Sequence, residues 1–192
     1  MKLSKNNKTS TRGFTLIELL VVIAIIATLG GLSFGPIMKY LGTAKITKAK
    51  KVCKDLTFAI TGFEQEYDSL PYSGNTYPSV DASYRTGGVG RPLLKVLIGA
   101  DTNINDKGKR FFVADEAKGR KDGFTYLANG SIENLYDTWG NVYTIRLDYD
   151  ADGIIDASVI GTYSDTLRVG NSIVVSPGKD GLYDDNQDAK SW

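Results

Sequence analysis

Hydrophobic positions divide the chain into stretches of different period. Residues 14–34 read FTLIELLVVIAIIATLGGLSF, 21 residues with a single charge, Glu18. As a helix rising about 1.5 Å per residue, this run spans roughly 30 Å, the thickness of a bilayer core. A helix of a soluble domain is seldom apolar on every side for so long. From Ile37 the pattern changes. Ile37, Tyr40, Leu41, Ala44, Val52, Leu56, Ala59, Ile60, Phe63 and Tyr67 recur at spacings of three, four or their combinations, which is the amphipathic helical period. The two stretches together predict one helix of about fifty residues that stops at Leu70-Pro71.

Beyond that point the apolar runs are short. Residues 72–90 are rich in Ser, Gly, Tyr and Pro and read as a loop. Residues 91–98 (RPLLKVLI) predict a short helix closed by Gly99, and 101–108 a polar loop. Strands are predicted over 109–113, 123–127, 141–147, 154–160 and 172–175. Short strands between Gly and Asp turns imply an antiparallel sheet of three or four strands packed on the helix. The fold class is α+β. The pattern divides the chain into a basic segment over 1–13, a helix long enough to span a membrane over 14–36, an amphipathic helix over 37–70 and a globular head over 71–192.

Charge sharpens the picture at the N-terminus. Lys2, Lys5, Lys8 and Arg12 precede the apolar run without an acid among them. Removing those four charges from the net +1 leaves the body at −3. The basic leader holds the N-terminus on the cytoplasmic side and sends the rest across. A second basic group, Lys39, Lys45, Lys48, Lys50, Lys51 and Lys54, lies on the amphipathic stretch. It reads as a solvated helix face beside a membrane, or as a surface drawn to lipid headgroups or to acidic faces of neighbouring subunits. Nucleic acid is not an expected partner, because aromatic interleaving and a net basic domain are both missing.

Composition excludes much chemistry. There is no histidine, which removes the commonest general base and most transition-metal sites. The single cysteine, Cys53, can form neither an internal disulfide nor a zinc site. It reads as a small apolar residue on a helix, although Lys51 and Lys54 beside it would favour its thiolate. A head without disulfides working outside the cytoplasm needs another staple, and metal is one. No enzyme is expected.

A secretory signal peptide would have a shorter apolar core, about 7–15 residues, before a small-residue cleavage site. A plain anchor accounts for the length but not for Glu18. A carboxylate in lipid is costly unless it is paired or interfacial, so it marks function. Arg12-Gly13-Phe14-Thr15-Leu16-Ile17-Glu18-Leu19 resembles the prepilin peptidase recognition motif of type IV pilins and type II secretion pseudopilins. The resemblance implies cleavage between Gly13 and Phe14 and N-methylation at Phe14. Glu18 then becomes the fifth residue of the processed chain and meets the Phe14 amine of a neighbouring subunit, which offsets the cost of burying either charge alone. The helix-kinking proline common in this family falls one position later here, at Pro36.

Two further patches resemble the major pseudopilins of type II secretion. Asp137-Thr138-Trp139-Gly140-Asn141-Val142-Tyr143 is similar to their D-P-W-G-x-P-Y stretch, with Thr138 and Val142 in place of its prolines. The ending from Ser176 through Gly178, Asp180, Gly181 and Asp188 to Trp192 is similar to their calcium-binding C-terminal loop. Residues 72–132 carry no such match. The resemblance implies Ca2+ held by Asp180, Asp185 and Asp188. Without it, Asp180, Asp184, Asp185 and Asp188 read first as a solvated acidic tail and next as a calcium loop that Gly178 and Gly181 let curl around an ion. A second group, Asp148-x-Asp150-x-Asp152-Gly153-x-x-Asp156, follows the first nine positions of an EF-hand loop, then fails at Val159 where a bidentate Glu belongs. It is either a second calcium loop or an acidic hairpin turn with Gly153 in the left-handed position.

These readings imply a structural subunit of a periplasmic type II secretion pseudopilus. Its expected partners are like subunits, the prepilin peptidase and an inner-membrane assembly platform. Its expected location is the inner membrane, single-pass, with the N-terminus cytoplasmic and the head periplasmic. A type IV pilin of a surface fibre and a membrane-anchored binding module delivered by a prepilin signal are the alternatives.

Overall fold

The apolar stripe recurring every three or four residues predicts a long helix, and a computed structural model, which describes residues 13–163, 166–167, 170–184 and 187–192, has one. Helix α1 covers Leu16–Tyr67. It ends where Asp68 turns to φ 54°, its amide still bonded to the Glu64 carbonyl at 2.8 Å. A left-handed residue closes a helix by redirecting the chain, so α1 stops three residues short of the predicted Leu70. The leader over residues 1–12 lies outside the described residues, as do the side chains of residues 33–39, including Pro36. Among the described residues, no helix is long and apolar enough to cross a membrane.

The chain forms two compact units, Met1–Gly42 and Thr43–Trp192. In the first, the side chains of Leu16, Ile17, Leu19, Leu20, Ile23, Ile26 and Leu29 are all exposed. A row of exposed aliphatics on a helix needs lipid or protein around it. Tyr40 and Leu41, expected on the packed face, are exposed as well.

In the second unit, α1 contributes Ala49, Cys53, Leu56, Ala59, Ile60 and Phe63 to the core. Their spacing of three and four residues places them on one face. Strand β1 (Ala82–Arg85) and helix α2 (Arg91–Leu97) follow, then β2 (Gly123–Tyr126), β3 (Ile132–Tyr136), β4 (Thr144–Leu147), β5 (Ile155–Asp156), β6 (Thr166–Leu167), β7 (Ser172–Ser176) and β8 (Ala189–Lys190). The main sheet is antiparallel with order β1-β4-β7-β8. Pairs β2–β3 and β5–β6 form two smaller ribbons.

The period of two decides which side chain goes where. Ile145, Leu147 and Val174 join the α1 core, whereas Ile173 and Val175 point the other way and pack with Ile155, Ala157 and Tyr163. The sheet is thus covered on both faces. Fully burying a Leu or Ile side chain contributes about 1.5–3 kcal/mol, so this layer holds the head together.

Several expectations need correction. Residues 109–113 form no strand; the amides of Phe111 and Phe112 both bond the Leu97 carbonyl at the end of α2. The predicted strand over 154–160 is two residues of β5 followed by a 3-10 turn, Ala157–Val159, capped by Asp156. The predicted loop over 72–90 contains β1. The thiol of Cys53 is buried and donates to the Ala189 carbonyl at 3.2 Å. Burial pushes its pKa up, opposite to the effect expected of Lys51 and Lys54. Of the basic run, Lys48 pairs with Asp122 at 3.0 Å and Lys51 with Asp55 at 2.6 Å.

Candidate functional site

The start of α1 is a reciprocal cap. The Glu18 carboxylate accepts the Thr15 amide at 2.8 Å and the Thr15 hydroxyl at 2.7 Å, while Thr15 Oγ1 accepts the Glu18 amide at 3.3 Å. This capping box satisfies two amides that a helix start leaves without partners. Both bonds from Thr15 end on the same oxygen, Oε2. Glu18 therefore holds the helix start with half of its carboxylate. Phe14 is 77% exposed. A Cβ on Gly13 would meet no atom within 4 Å. Among the described residues, none would obstruct a side chain at position 13.

At the other end of the chain, Asp137 organises a junction that sequence reasoning registered only as part of a motif. It is fully buried. Its Oδ1 accepts the amides of Trp139, Gly140 and Asn141, each at 2.8 Å, and its Oδ2 accepts the Ser176 hydroxyl at 2.6 Å. The turn needs Gly140, which has φ 101° and would set a Cβ 3.0 Å from the Arg120 carbonyl oxygen. Asn141 then donates from Nδ2 to the Gly178 carbonyl at 2.7 Å. One buried carboxylate thus ties the 137–141 turn to β7, and Asn141 ties it to the C-terminal loop. An Asp two residues before a Trp-Gly pair is the signal of such a side-chain-closed turn.

The C-terminal loop gathers three acids. Asp180, Asp184 and Asp188 each present an oxygen within 4.8 Å of the others. Asp185, one of the expected ligands, lies outside the described residues; Asp184 stands in the cluster with Asp180 and Asp188. Asp188 is 7% exposed and accepts bonds from the Tyr163 hydroxyl and from the Asp184 amide at 3.1 Å. Burial is the largest influence on its carboxyl and raises the pKa, against those hydrogen bonds. Oxygens on one calcium ion at 2.3–2.6 Å are at most about 5 Å apart, so this donor set fits the ion.

The second acidic run separates in space. Asp148 and Asp150 meet Asp81, again within 4.8 Å. Asp152 instead accepts the Ile154 amide at 2.7 Å, and Asp156 accepts the Ser158 amide at 2.9 Å. Gly153 has φ 73° and donates to Asp148 Oδ2 at 2.9 Å. The run is a turn with Gly153 left-handed, and two of its four acids face a third from elsewhere in the chain. Asp81 was not anticipated, because strand pairing alone brings it there.

Residues 8–34 match the prokaryotic N-terminal methylation motif. Over 151 residues the chain is 28% identical to a fimbrial protein of Neisseria meningitidis serogroup A / serotype 4A (strain DSM 15465 / Z2491), covering 76% of this chain and 88% of that protein. The motif and the fimbrial similarity together support a prepilin-like member of the type IV pilin superfamily. No solved structure matches it. The prepilin is a structural subunit and not an enzyme, and its membership implies processing by prepilin peptidase and assembly into a filament of pilin subunits. The matched segment takes in Gly13, Phe14 and Glu18, the residues around which the processing reading is built. The α+β order of the prepilin, an N-terminal helix followed by a small antiparallel sheet, is that of a pilin-like fold.

Proposed function

We propose that this prepilin is cut between Gly13 and Phe14, methylated at the new Phe14 amine, and assembled as a pseudopilus subunit of a type II secretion machine. The precursor sits in the inner membrane through residues 14–36, with its N-terminus cytoplasmic and its head periplasmic. An inner-membrane assembly platform adds it to the filament. Glu18 Oε2 keeps the helix start closed, and the rest of the carboxylate receives the Phe14 amine of a neighbour. That pairing is needed because an unpaired carboxylate in an apolar surround is costly.

The observation that carries the choice of a pseudopilus is the linked C-terminal junction. Asp137 closes the turn before Asn141, Asn141 holds Gly178, and the loop beyond converges Asp180, Asp184 and Asp188. A Ca2+ ion held by those three carboxylates would neutralise them and lock the loop, supplying the cross-link that a chain with one cysteine does without. Gly178 is required for this path: its φ is 68°, and a Cβ there would collide with the Gln187 carbonyl.

A second reading, a type IV pilin of a surface fibre, is favoured by the similarity to the Neisseria fimbrial protein. Deleting the gene in its own host separates the two. Loss of secreted folded proteins with surface fibres retained supports the pseudopilus. Loss of fibres with secretion retained overturns it. The intact mass of the membrane-extracted chain tests processing independently: it should lack residues 1–13 and carry one added methyl group.

A further inference from the structure

The end of the β1–β4 ladder carries a cluster of carboxylates that the filament reading leaves unused. Ala82 of β1 pairs with Leu147 of β4, so the next residues outward, Asp81 and Asp148, continue the two strands side by side. Like charges placed across a ladder repel. Asp150 brings a third carboxylate within 4.8 Å of both. Among the described residues, the cation paired with the group is Arg146, whose Nη2 lies 3.4 Å from Asp81 Oδ2. Three carboxylates and one guanidinium leave a local charge of −2.

The buried oxygens point to what is missing from this arrangement. Asp148 is 2% exposed. Its Oδ2 accepts the Gly153 amide, but its Oδ1 is buried without a hydrogen-bond partner. Asp81 Oδ1 is likewise buried and unpartnered. A buried carboxylate oxygen with no donor costs well over a kcal/mol, and two of them beside a third acid are not a stable end state. A proton or a cation relieves this. The donors are all oxygen, two come from an irregular turn, and the charge to be cancelled is two, which suits calcium better than the rigid octahedron of magnesium.

We propose that Asp81, Asp148 and Asp150 hold a second, structural calcium ion. The ion clamps the segment leading into β1 onto the turn that follows β4. The clamp has a visible beneficiary. Tyr149, between two of the ligands, donates its hydroxyl to the Pro71 carbonyl at 2.7 Å and meets the Tyr84 hydroxyl at 3.0 Å. Its ring also packs edge-on against Tyr77, which packs against Tyr72. The ion therefore fixes the long tyrosine-rich segment over 72–81 to the sheet. The site is independent of the C-terminal cluster and of filament assembly.

The test uses the full chain in detergent, stripped with EGTA and titrated calorimetrically with calcium chloride. In an Asp188→Asn background, which disables the C-terminal cluster, one calcium equivalent should remain. Adding Asp81→Asn or Asp150→Asn should abolish it. Melting distinguishes an ion site from an ordinary ion pair. Asp150→Asn should melt lower than its parent in calcium and no lower in EGTA, where it relieves repulsion. Loss of all binding on Asp188→Asn alone overturns the site, as does a drop in melting that is equal in calcium and EGTA. Asp150 is exposed, so its Asn variant decides the matter even if Asp81→Asn does not fold. Unchanged stoichiometry in Asp188→Asn would count against the C-terminal ion, and the Asp81 and Asp150 arms would still decide this one.

Discussion

Replacing Asp137 tests whether one carboxylate closes the head. The side chain is fully buried and receives four hydrogen bonds, three from amides at 2.8 Å and one from the Ser176 hydroxyl at 2.6 Å. In Asp137→Ala the hydroxyl can rotate to another acceptor, but the amides of Trp139, Gly140 and Asn141 are fixed by the turn. A stranded buried donor costs about 1–3 kcal/mol, and these half-buried amides fall toward the low end. Some water enters the space the carboxylate leaves, so a total of about 4 kcal/mol is expected for the three. For a domain of this size that corresponds to a fall in Tm of roughly 8–16 °C. Asp137→Asn retains an oxygen at the position of Oδ1, and its amide can donate to Ser176 Oγ. It loses only the strengthening that charge gives these bonds, about 1 kcal/mol. The assay is urea unfolding of the full chain in detergent, followed by tryptophan fluorescence, with Trp139 inside the perturbed turn. The expected order is wild type, then Asn close below, then Ala far below. An Ala variant within about 1 kcal/mol of wild type would refute the assignment of Asp137 as the hub, since it would mean that the three amides find other acceptors.

Three other outcomes follow from the geometry. Glu18→Gln should leave the α1 cap intact, because Gln serves in a capping box as Glu does, yet abolish incorporation into filaments scored by shearing and immunoblot. Thr15→Ala should do the reverse, and normal assembly of the Gln variant would refute the charge pairing. Gly178→Ala forces a left-handed residue against the Gln187 carbonyl, which should cost about 1–3 kcal/mol and remove the Asp188-dependent part of any calcium-induced rise in Tm; a calcium response equal to wild type would show that the loop tolerates another path. Lys107 and Lys109 hold the Glu66 carboxyl down to about 2, from an ordinary value of 4.5. Because the folded value is the lower one, this contribution is complete above pH 4.5 and fades as pH falls from there toward 2. Glu66→Gln should flatten the acid limb of a low-salt Tm–pH curve in that window, and parallel curves would refute the pairing.

The parts legible in the sequence are those where a period runs long enough to outweigh local noise. Leu56, Ala59, Ile60 and Phe63 announce α1, and all four are buried. The Pro at the second position and the Gly99 stop announce α2. β4 and β7 are legible instead as short runs rich in Ile, Val and Leu, because both lie inside the sheet and are buried on both faces. Edge strands give weaker signals. In β1 only Tyr84 is buried, so its four residues look like the Tyr- and Ser-rich loop around them. β3 has Glu133 and Asn134 half-buried in its middle, which breaks the alternation. Two-residue β8 is set by pairing with Val175 and Ser176, and nothing local specifies it. Residues 109–113 carry strand-like Phe111 and Phe112, but those amides are taken by the Leu97 carbonyl before a ladder can form.

The acidic residues show the same division between local and distant causes. A linear spacing resembling an EF-hand grouped Asp148, Asp150, Asp152 and Asp156, because sequence neighbours are all that such a motif can see. The turn residues Ala151 and Gly153, both at positive φ, separate that group: Asp152 and Asp156 bond amides two residues on, and Asp148 and Asp150 face Asp81. What joins Asp81 to them is the register Ala82 with Leu147. Repulsion at that point is a cost the fold incurs by pairing β1 with β4 in this register. A register shifted by one residue would move Asp81 away, but it would also turn Tyr84 out of the core and lose its bond to Tyr149. The tyrosine packing therefore fixes the register, the register places the carboxylates together, and their mutual repulsion is what the proposed calcium ion would relieve.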